Sequence, residues 1–508
     1  MSDNLYQHFH TVIERQPEAT FMTTPAGRVI RYGDLPGLTA GLAGALQAMG
    51  VAPGDRVAVQ VEKSPETILL YLACLRMGGV YLPLNTAYTG EEIAYFLADA
   101  KPALFVCRPE DEASARALCA DAAQTSVATL DGDGQGSLIE AAARAEPMSG
   151  ITPRTANDLA SILYTSGTTG RSKGAMLTHG NLLSNARALA ETWRFTPDDR
   201  LIHALPIFHI HGLFVACNTV LASGASMLYL PRFDADEVID AMVDGTVLMG
   251  VPTFYTRLLK SPRLTRDAVA AMRLFVSGSA PLTTETHNAF SERTGVAILE
   301  RYGMTETGMN SSNPYDGERR AGTVGFPLPG VEIRITQPEQ ATALPDGEVG
   351  MIEVRGPNVF SGYWGMPEKT AEELRSDGWF ITGDLGMIDD RGYLQIVGRG
   401  KDLVISGGYN VYPREVEQII DEHPDVEESA VIGVAHPDFG EGVTAVVVPA
   451  AEANPSESSI QQALDGRLAR FKQPKRVVFV DALPRNAMGK VQKNQLRDTY
   501  ATLYSASE

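Results

Sequence analysis

"LYTSGTTGRSKGAMLTH", residues 163–179, starts as an apolar strand, breaks into a run of Ser, Thr and Gly carrying Arg171 and Lys173, and leads towards a helix. Glycines let backbone amides close on phosphate oxygens, hydroxyls add donors, and the lysine supplies charge. The stretch therefore reads as a phosphate-binding loop at the end of a strand, where α/β sheets hold their ligands. A Walker A spacing, GxxxxGK followed by Ser or Thr, cannot be laid over Gly167 or Gly170, which disfavours a P-loop ATPase.

The same texture spreads outward from this loop. Apolar runs at Arg56 to Val61 and Val80 to Leu84 flank "PETILLYLACLRMGG", whose apolar spacing suits an amphipathic helix. Strand-like runs that end in small-residue or proline turns before helices recur in "MLYLP", "DGTVLMGVPTFYTRLLK" and "MRLFVSGSAPL". After Thr323 the chain turns to short β segments broken by Gly and Pro, expected to form a small β lobe. Beyond "GRGKDLVISGGYN" a helix at Pro413 to Glu422, strands at Ser429 to Val434 and Val443 to Val448, and a helix at Ile460 to Leu468 are expected. The fold class is α/β: a large multi-lobed N-terminal domain over 1–401, of two α/β lobes and a small β lobe, and a mobile α+β C-terminal domain over 402–508.

A chain of 508 residues exceeds one hydrophobic core, in keeping with several lobes. Hydrophobic residues make up 44% and charged residues 21%, ordinary for a globular protein. The net charge of −19 argues against following a nucleic-acid backbone. Four scattered cysteines (Cys74, Cys107, Cys119, Cys217) form no CxxC pair and suggest neither disulfides nor zinc, so a reducing cytoplasm is expected. With no apolar run of about 18 residues and no signal pattern at the start, neither a membrane span nor secretion is expected.

The phosphate loop, "RYGMTE", "TGDLG", "GRGKDLVISGGYNVYPREVE" and "PRNAMGKVQK" occur in one order, and in this the chain resembles the adenylate-forming acyl-CoA synthetases over nearly its whole length. The resemblance implies joining of a carboxylic acid to AMP with ATP and Mg²⁺, then transfer of the acyl group to coenzyme A. It implies that Thr165, Ser166, Gly167, Thr168, Thr169, Gly170 and Lys173 cradle the β- and γ-phosphates, with Thr168 also on the metal. Gly278, Ser279, Ala280 and Pro281 would border the nucleotide and acyl pockets. Tyr302, beside Gly303, would lie against adenine, Thr305 by the α-phosphate and Glu306 on Mg²⁺. Asp384 would take the ribose hydroxyls with Arg399 nearby, and Lys490 would bridge the attacking carboxylate and the α-phosphate.

The family swings its C-terminal domain about a hinge, matched here by Lys401, so that Gly407, Gly408 and Tyr409 would enter the site and line a pantetheine tunnel. Arg470, Lys472, Lys475 and Arg476 are candidates for coenzyme A phosphates, with a solvated charged face as the plainer reading. Acetylation of Lys490 by a lysine acetyltransferase would cancel the charge that adenylation needs.

The common chemistry does not require Arg301 in "ERYGMTET" or Arg257 in "GVPTFYTRLL". Two arginines with Ser279 make a clamp suited to a second carboxylate, because a guanidinium matches it bidentately. In "PIFHIHGLFVA" the resemblance implies that His209 lies near the reacting carboxylate and that His211 is packing. Together these stretches resemble the malonyl-CoA synthetases of the superfamily, implying malonate and some tolerance of methylmalonate. A short-chain or aryl acyl-CoA ligase, or an adenylation protein that loads an acyl carrier protein, are the alternatives.

Overall fold

The computed structural model describes residues 2–120, 125–165, 172–337, 341–407, 409–486 and 489–504. Two large sheets carry the N-terminal part. One has six strands in the order Ser126–Thr129, Leu104–Cys107, Arg56–Gln60, Val80–Pro83, Leu159–Thr165 and Lys173–Thr178. Its pairings are parallel up to the last, which is antiparallel. The other has nine strands and at its centre the parallel set Leu299–Met304, Leu274–Ser277, Val247–Gly250 and Arg200–His203.

Pro65–Met77 shows how sequence and burial meet. Ser64 caps the helix by accepting from the Thr67 amide, Pro65 fits the first turn, and Gly78 ends it in the left-handed region at φ 77°. Instead of showing one wet face, the helix is buried from Glu66 through Met77. A helix packed on all sides belongs in the interior. Arg76 remains there because its guanidinium donates to the carbonyls of Pro36, Met148 and Gly150.

The phosphate-loop stretch also departs from expectation. Lys173–Thr178 is a strand paired back on Leu159–Thr165, and the helix begins only at His179, capped by Thr178. In "KGAMLT" the strand pairing wins over helix, so a hairpin and not a helix N-terminus frames the loop.

A four-stranded antiparallel sheet, Glu332–Thr336, Gly350–Arg355, Phe380–Ile388 and Leu394–Arg399, forms the small β lobe. The chain then passes through a short turn at Gly400–Asp402 into a five-stranded sheet dominated by the Val426–His436 and Gly440–Pro449 pair. Helices Pro413–Asp421 and Glu457–Leu464 pack on it through Val416, Ile420, Ile460 and Leu464. Across to the N-terminal part run a Lys260–Glu427 ion pair at 2.9 Å and a bond from Arg414 to the Leu282 carbonyl at 3.2 Å.

Candidate active site

The site collects at the C-terminal ends of the central parallel strands. His209 follows Arg200–His203, Gly278 and Ser279 follow Leu274–Ser277, and Leu299–Met304 carries Arg301 and Tyr302 and leads to Thr305 and Glu306.

Arg301 is the anomaly. It is 3% exposed, and neither its Nε nor its Nη2 has a hydrogen-bond partner among the described residues. Burial pulls its guanidinium down to about 9, against a small upward effect of Tyr255. A buried cation with unpaired donors is costly unless something anionic meets it. Near it the His211 Nε2 is likewise buried and has no hydrogen-bond partner among the described residues, and Ser279 Oγ lies 3.3 Å from His211 Nδ1. Ser279 holds φ at 72°, a strained left-handed position of the kind that clusters at functional sites. Burial holds His209 down to about 3, with Lys490 and Arg301 adding to the effect, and His211 well below its ordinary value. Both imidazoles are neutral at physiological pH. His211 opens a widened helical turn, His211–Cys217, that keeps it in the interior. The expectation of His211 as packing misses its place by Arg301, and the HIH spacing is the signal in the sequence that two imidazoles share this region.

Arg257 is not brought to Arg301. It is exposed on helix Pro252–Lys260, with its guanidinium over the Phe233 ring at 4.8 Å, a cation–π contact that holds it at the surface. The expected two-arginine clamp is therefore, in this structure, one buried arginine with serine and histidine neighbours. Phe233, stacked on Phe254 at 3.9 Å, also lines a cavity of about 230 Å³ with Phe208 and Lys63. Lys63 donates to the carbonyls of His203 and Leu230. The His203 Nε2 faces the Gly212 carbonyl, so it carries the proton, and Nδ1 is left to accept from the lysine at 2.9 Å.

On the nucleotide side, the Tyr302 hydroxyl donates to Asp384 Oδ2 at 2.6 Å and Arg399 Nε meets Asp384 Oδ1 at 3.0 Å. Lys490 reaches the cleft between the domains, its backbone amide held by Asn486 Oδ1 at 3.0 Å. Its side chain stays open to water in the cleft, yet surrounding protein pulls the ammonium down to about 8. Arg399 adds to this, while Asp384 and Glu306 act in the opposite sense. Glu306 is 5% exposed, burial raises its carboxyl above the ordinary range, and its Oε1 accepts from Tyr363 at 3.0 Å. Among the described residues no three His, Cys, Asp or Glu side chains converge to hold a metal. A single buried carboxylate fits Mg²⁺, which is commonly held by one or two carboxylates and substrate phosphates.

Thr165 and Lys173 flank the loop, while Ser166, Gly167, Thr168, Thr169, Gly170 and Arg171 lie outside the described residues, as does Gly408. Ala280 and Pro281 follow Ser279 at the rim, and Gly303 precedes the turn that bears Thr305. Gly407 and Tyr409 are exposed on the C-terminal domain, and Lys401 lies in the Gly400–Asp402 turn. Lys472 pairs with Glu415 at 2.6 Å, which favours the charged-face reading for that residue.

The AMP-binding enzyme family matches residues 9–364, and the AMP-binding enzyme C-terminal domain matches residues 415–490. The chain belongs to this family, whose acyl-CoA ligases are acid–thiol ligases working through an acyl adenylate with ATP and coenzyme A as co-substrates.

Among solved structures, ATP-bound MatB from Rhodopseudomonas palustris is 58% identical, with a TM-score of 0.97, covering 99% of this chain and all of that one (100%). Apo MatB, at the same 58% identity and coverage, scores 0.86, so the structure as a whole is closer to the ATP-bound form. Curated relatives include an indoleacetate–CoA ligase of Aromatoleum aromaticum, 37% identical over 96% of both chains. A malonate–CoA ligase of Arabidopsis thaliana is 34% identical over 89% of this chain and 79% of its own. No helix among the described residues is long and apolar enough to cross a membrane.

Proposed function

We propose that this acyl-CoA ligase is specific for malonate, with some acceptance of methylmalonate, and makes malonyl-CoA, AMP and pyrophosphate. The observation that carries the reading is the buried Arg301 guanidinium, with two nitrogens unpaired among the described residues, near His211 and Ser279. A monocarboxylate would leave that charge unanswered, whereas a distal carboxylate pairs with it and still presents its other end to the nucleotide. The likeness to MatB and to the malonate–CoA ligase of Arabidopsis thaliana supports the same acid.

In this reading one malonate oxygen attacks the α-phosphorus and pyrophosphate leaves. Lys490 offsets charge on the α-phosphate as it builds, Thr305 donates to it, and neutral His209 lies beside the reacting carboxylate. Asp384, fixed by Tyr302 and Arg399, takes the ribose, and Lys173 with the preceding loop takes the β- and γ-phosphates. Glu306 holds Mg²⁺, which when bound neutralises phosphate charge. The coenzyme A sulfur then attacks the acyl carbon and AMP leaves, after Lys490 has withdrawn with its domain about Lys401. The cavity beside Phe208, of about 230 Å³ and mostly apolar, is a candidate path for the pantetheine arm.

An aryl substrate is the second reading, favoured by the aromatic walls Phe208, Phe233 and Phe254 and by the 37% identity to the indoleacetate–CoA ligase. Rates with MgATP, coenzyme A and a panel of acids decide between them. Malonate should have the highest kcat/KM; acetate, indoleacetate or ferulate exceeding it would refute the malonate assignment.

A further inference from the structure

Tyr363 and Glu373 carry no role in the chemistry above, yet they tie together the two groups assigned to the phosphate end of the site. The Tyr363 hydroxyl stands 2.6 Å from Glu373 Oε2 and 3.0 Å from Glu306 Oε1. Glu373 in turn faces Lys173 Nζ at 3.2 and 3.3 Å, and the same ammonium lies 4.1 Å from the centre of the Tyr363 ring. A phenol has one proton and here two carboxylate acceptors, so the hydroxyl donates to one or is shared between them, and its oxygen lies between the two.

The backbone explains why these residues meet. Residues 360–364 run beside the strand Lys173–Thr178, with Met176 donating to the Gly362 carbonyl and Trp364 to the Gly174 carbonyl. Phe360 donates to the carbonyl of Glu306 itself at 2.8 Å. Glu373 ends the helix Pro367–Glu373, where Lys369 also reaches it at 3.0 Å. One short segment thus joins the root of the phosphate loop, the magnesium carboxylate and a second acid.

We infer that Tyr363 and Glu373 are positioning residues for the nucleotide: Tyr363 aims the Glu306 carboxylate, and Glu373 with the Tyr363 ring aims Lys173. The inference rests on the assignment of Lys173 to phosphate and Glu306 to Mg²⁺, and it is independent of which acid is activated. A network serving stability alone would not distinguish magnesium from malonate; a positioning network does.

The test uses the full chain and two variants. Tyr363→Phe removes the hydroxyl and keeps the ring, and Glu373→Gln keeps the shape and removes the charge at a less buried place, repeating the test should the first variant fold poorly. MgATP binding is read by calorimetry, the Mg²⁺ requirement by malonate-dependent pyrophosphate exchange, and KM for malonate alongside. Tyr363→Phe should raise the half-saturating Mg²⁺ concentration about threefold or more, as loss of one charge-assisted bond implies. Glu373→Gln should weaken MgATP binding by about the same factor. KM for malonate should stay within about twofold in both, the split expected when only one end of a site is disturbed.

Two folded variants with unchanged Mg²⁺ requirement and MgATP affinity would overturn the inference, as would a malonate KM that rises in step with them. Wild-type enzyme that prefers another acid would remove the malonate assignment and leave this inference standing, with exchange then run on that acid. Wild-type enzyme that fails to bind MgATP would remove both.

Discussion

Gly278 lies so close to Arg301 that a methyl group on its Cα would overlap the guanidinium. Without a side chain at Gly278 the guanidinium fits there, buried with two nitrogens unpaired among the described residues. Arg301→Ala should raise KM for malonate by about a hundredfold or more, the loss expected when one partner of a buried, hydrogen-bonded charge pair is removed. Gly278→Ala should displace the guanidinium and raise it by about tenfold, about 1.4 kcal/mol. Arg257→Ala, at an exposed residue resting on Phe233, should change it by less than about threefold. Calorimetric MgATP affinity is the control, since the malonate reading requires it to change little in Arg301→Ala.

The contrast between the two arginines shows where sequence reading stops. Both lie in apolar stretches next to residues the family resemblance assigns to the acyl pocket, and nothing in their spacing tells a buried guanidinium from one held outside by an aromatic ring. That distinction is made by Gly278 and Phe233, which are distant in sequence from the arginines they constrain. Local pattern was sufficient for the strands at Arg56–Gln60 and Val80–Pro83 and for the helix at Pro413–Asp421, because their apolar periods are set by the cores they face. It was not sufficient for the strand Lys173–Thr178, whose partner fixes it, nor for the burial of Pro65–Met77, which its pattern marks as a helix but whose surroundings on every side come from other segments. Tyr363 and Glu373 escaped notice for the same reason: each is ordinary in its own stretch and meets Glu306 and Lys173 only in the fold.

Lys490 sets a pH limit on adenylation. In the proposed mechanism the reaction uses the ammonium, and confinement in the cleft lowers its value to about 8, while water in the cleft moderates that pull. The protonated fraction is complete well below pH 8 and is lost as pH rises through that value. The kcat/KM for pyrophosphate exchange, which reports the free enzyme, should therefore fall on the alkaline side from pH 8 to 9, approaching tenfold per unit above about pH 9. His209 and His211, held neutral by burial, should add no step near pH 6.5. Lys490→Ala should lose about 10² to 10³ in adenylation and retain thioester formation from supplied acyl adenylate. Equal loss in both half-reactions would show that Lys490 serves the fold or both domain arrangements.

Asp421 supplies a separate signal from the domain junction. It ends the helix Pro413–Asp421, accepts from Ser429 Oγ at 2.7 Å, and lines a small gap with Thr283, Thr284 and Arg414. Burial raises its carboxyl to about 7; Glu417 and Glu428 push it further up, while the Ser429 bond and Arg414 oppose the rise. A carboxyl raised in the folded state binds more protons there than in the unfolded chain. Its contribution to stability is complete below the unfolded value and is lost as pH rises through about 7. Each pKa unit corresponds to about 1.4 kcal/mol, which sets the ceiling. Asp421→Asn keeps a partner for Ser429 and removes the titration. In calorimetry of the full chain the variant should match wild type near pH 4 and unfold at higher temperature near pH 8.5. A variant no more stable than wild type at pH 8.5 would mean that Asp421 is ionised at little cost, and that Arg414 compensates for its burial.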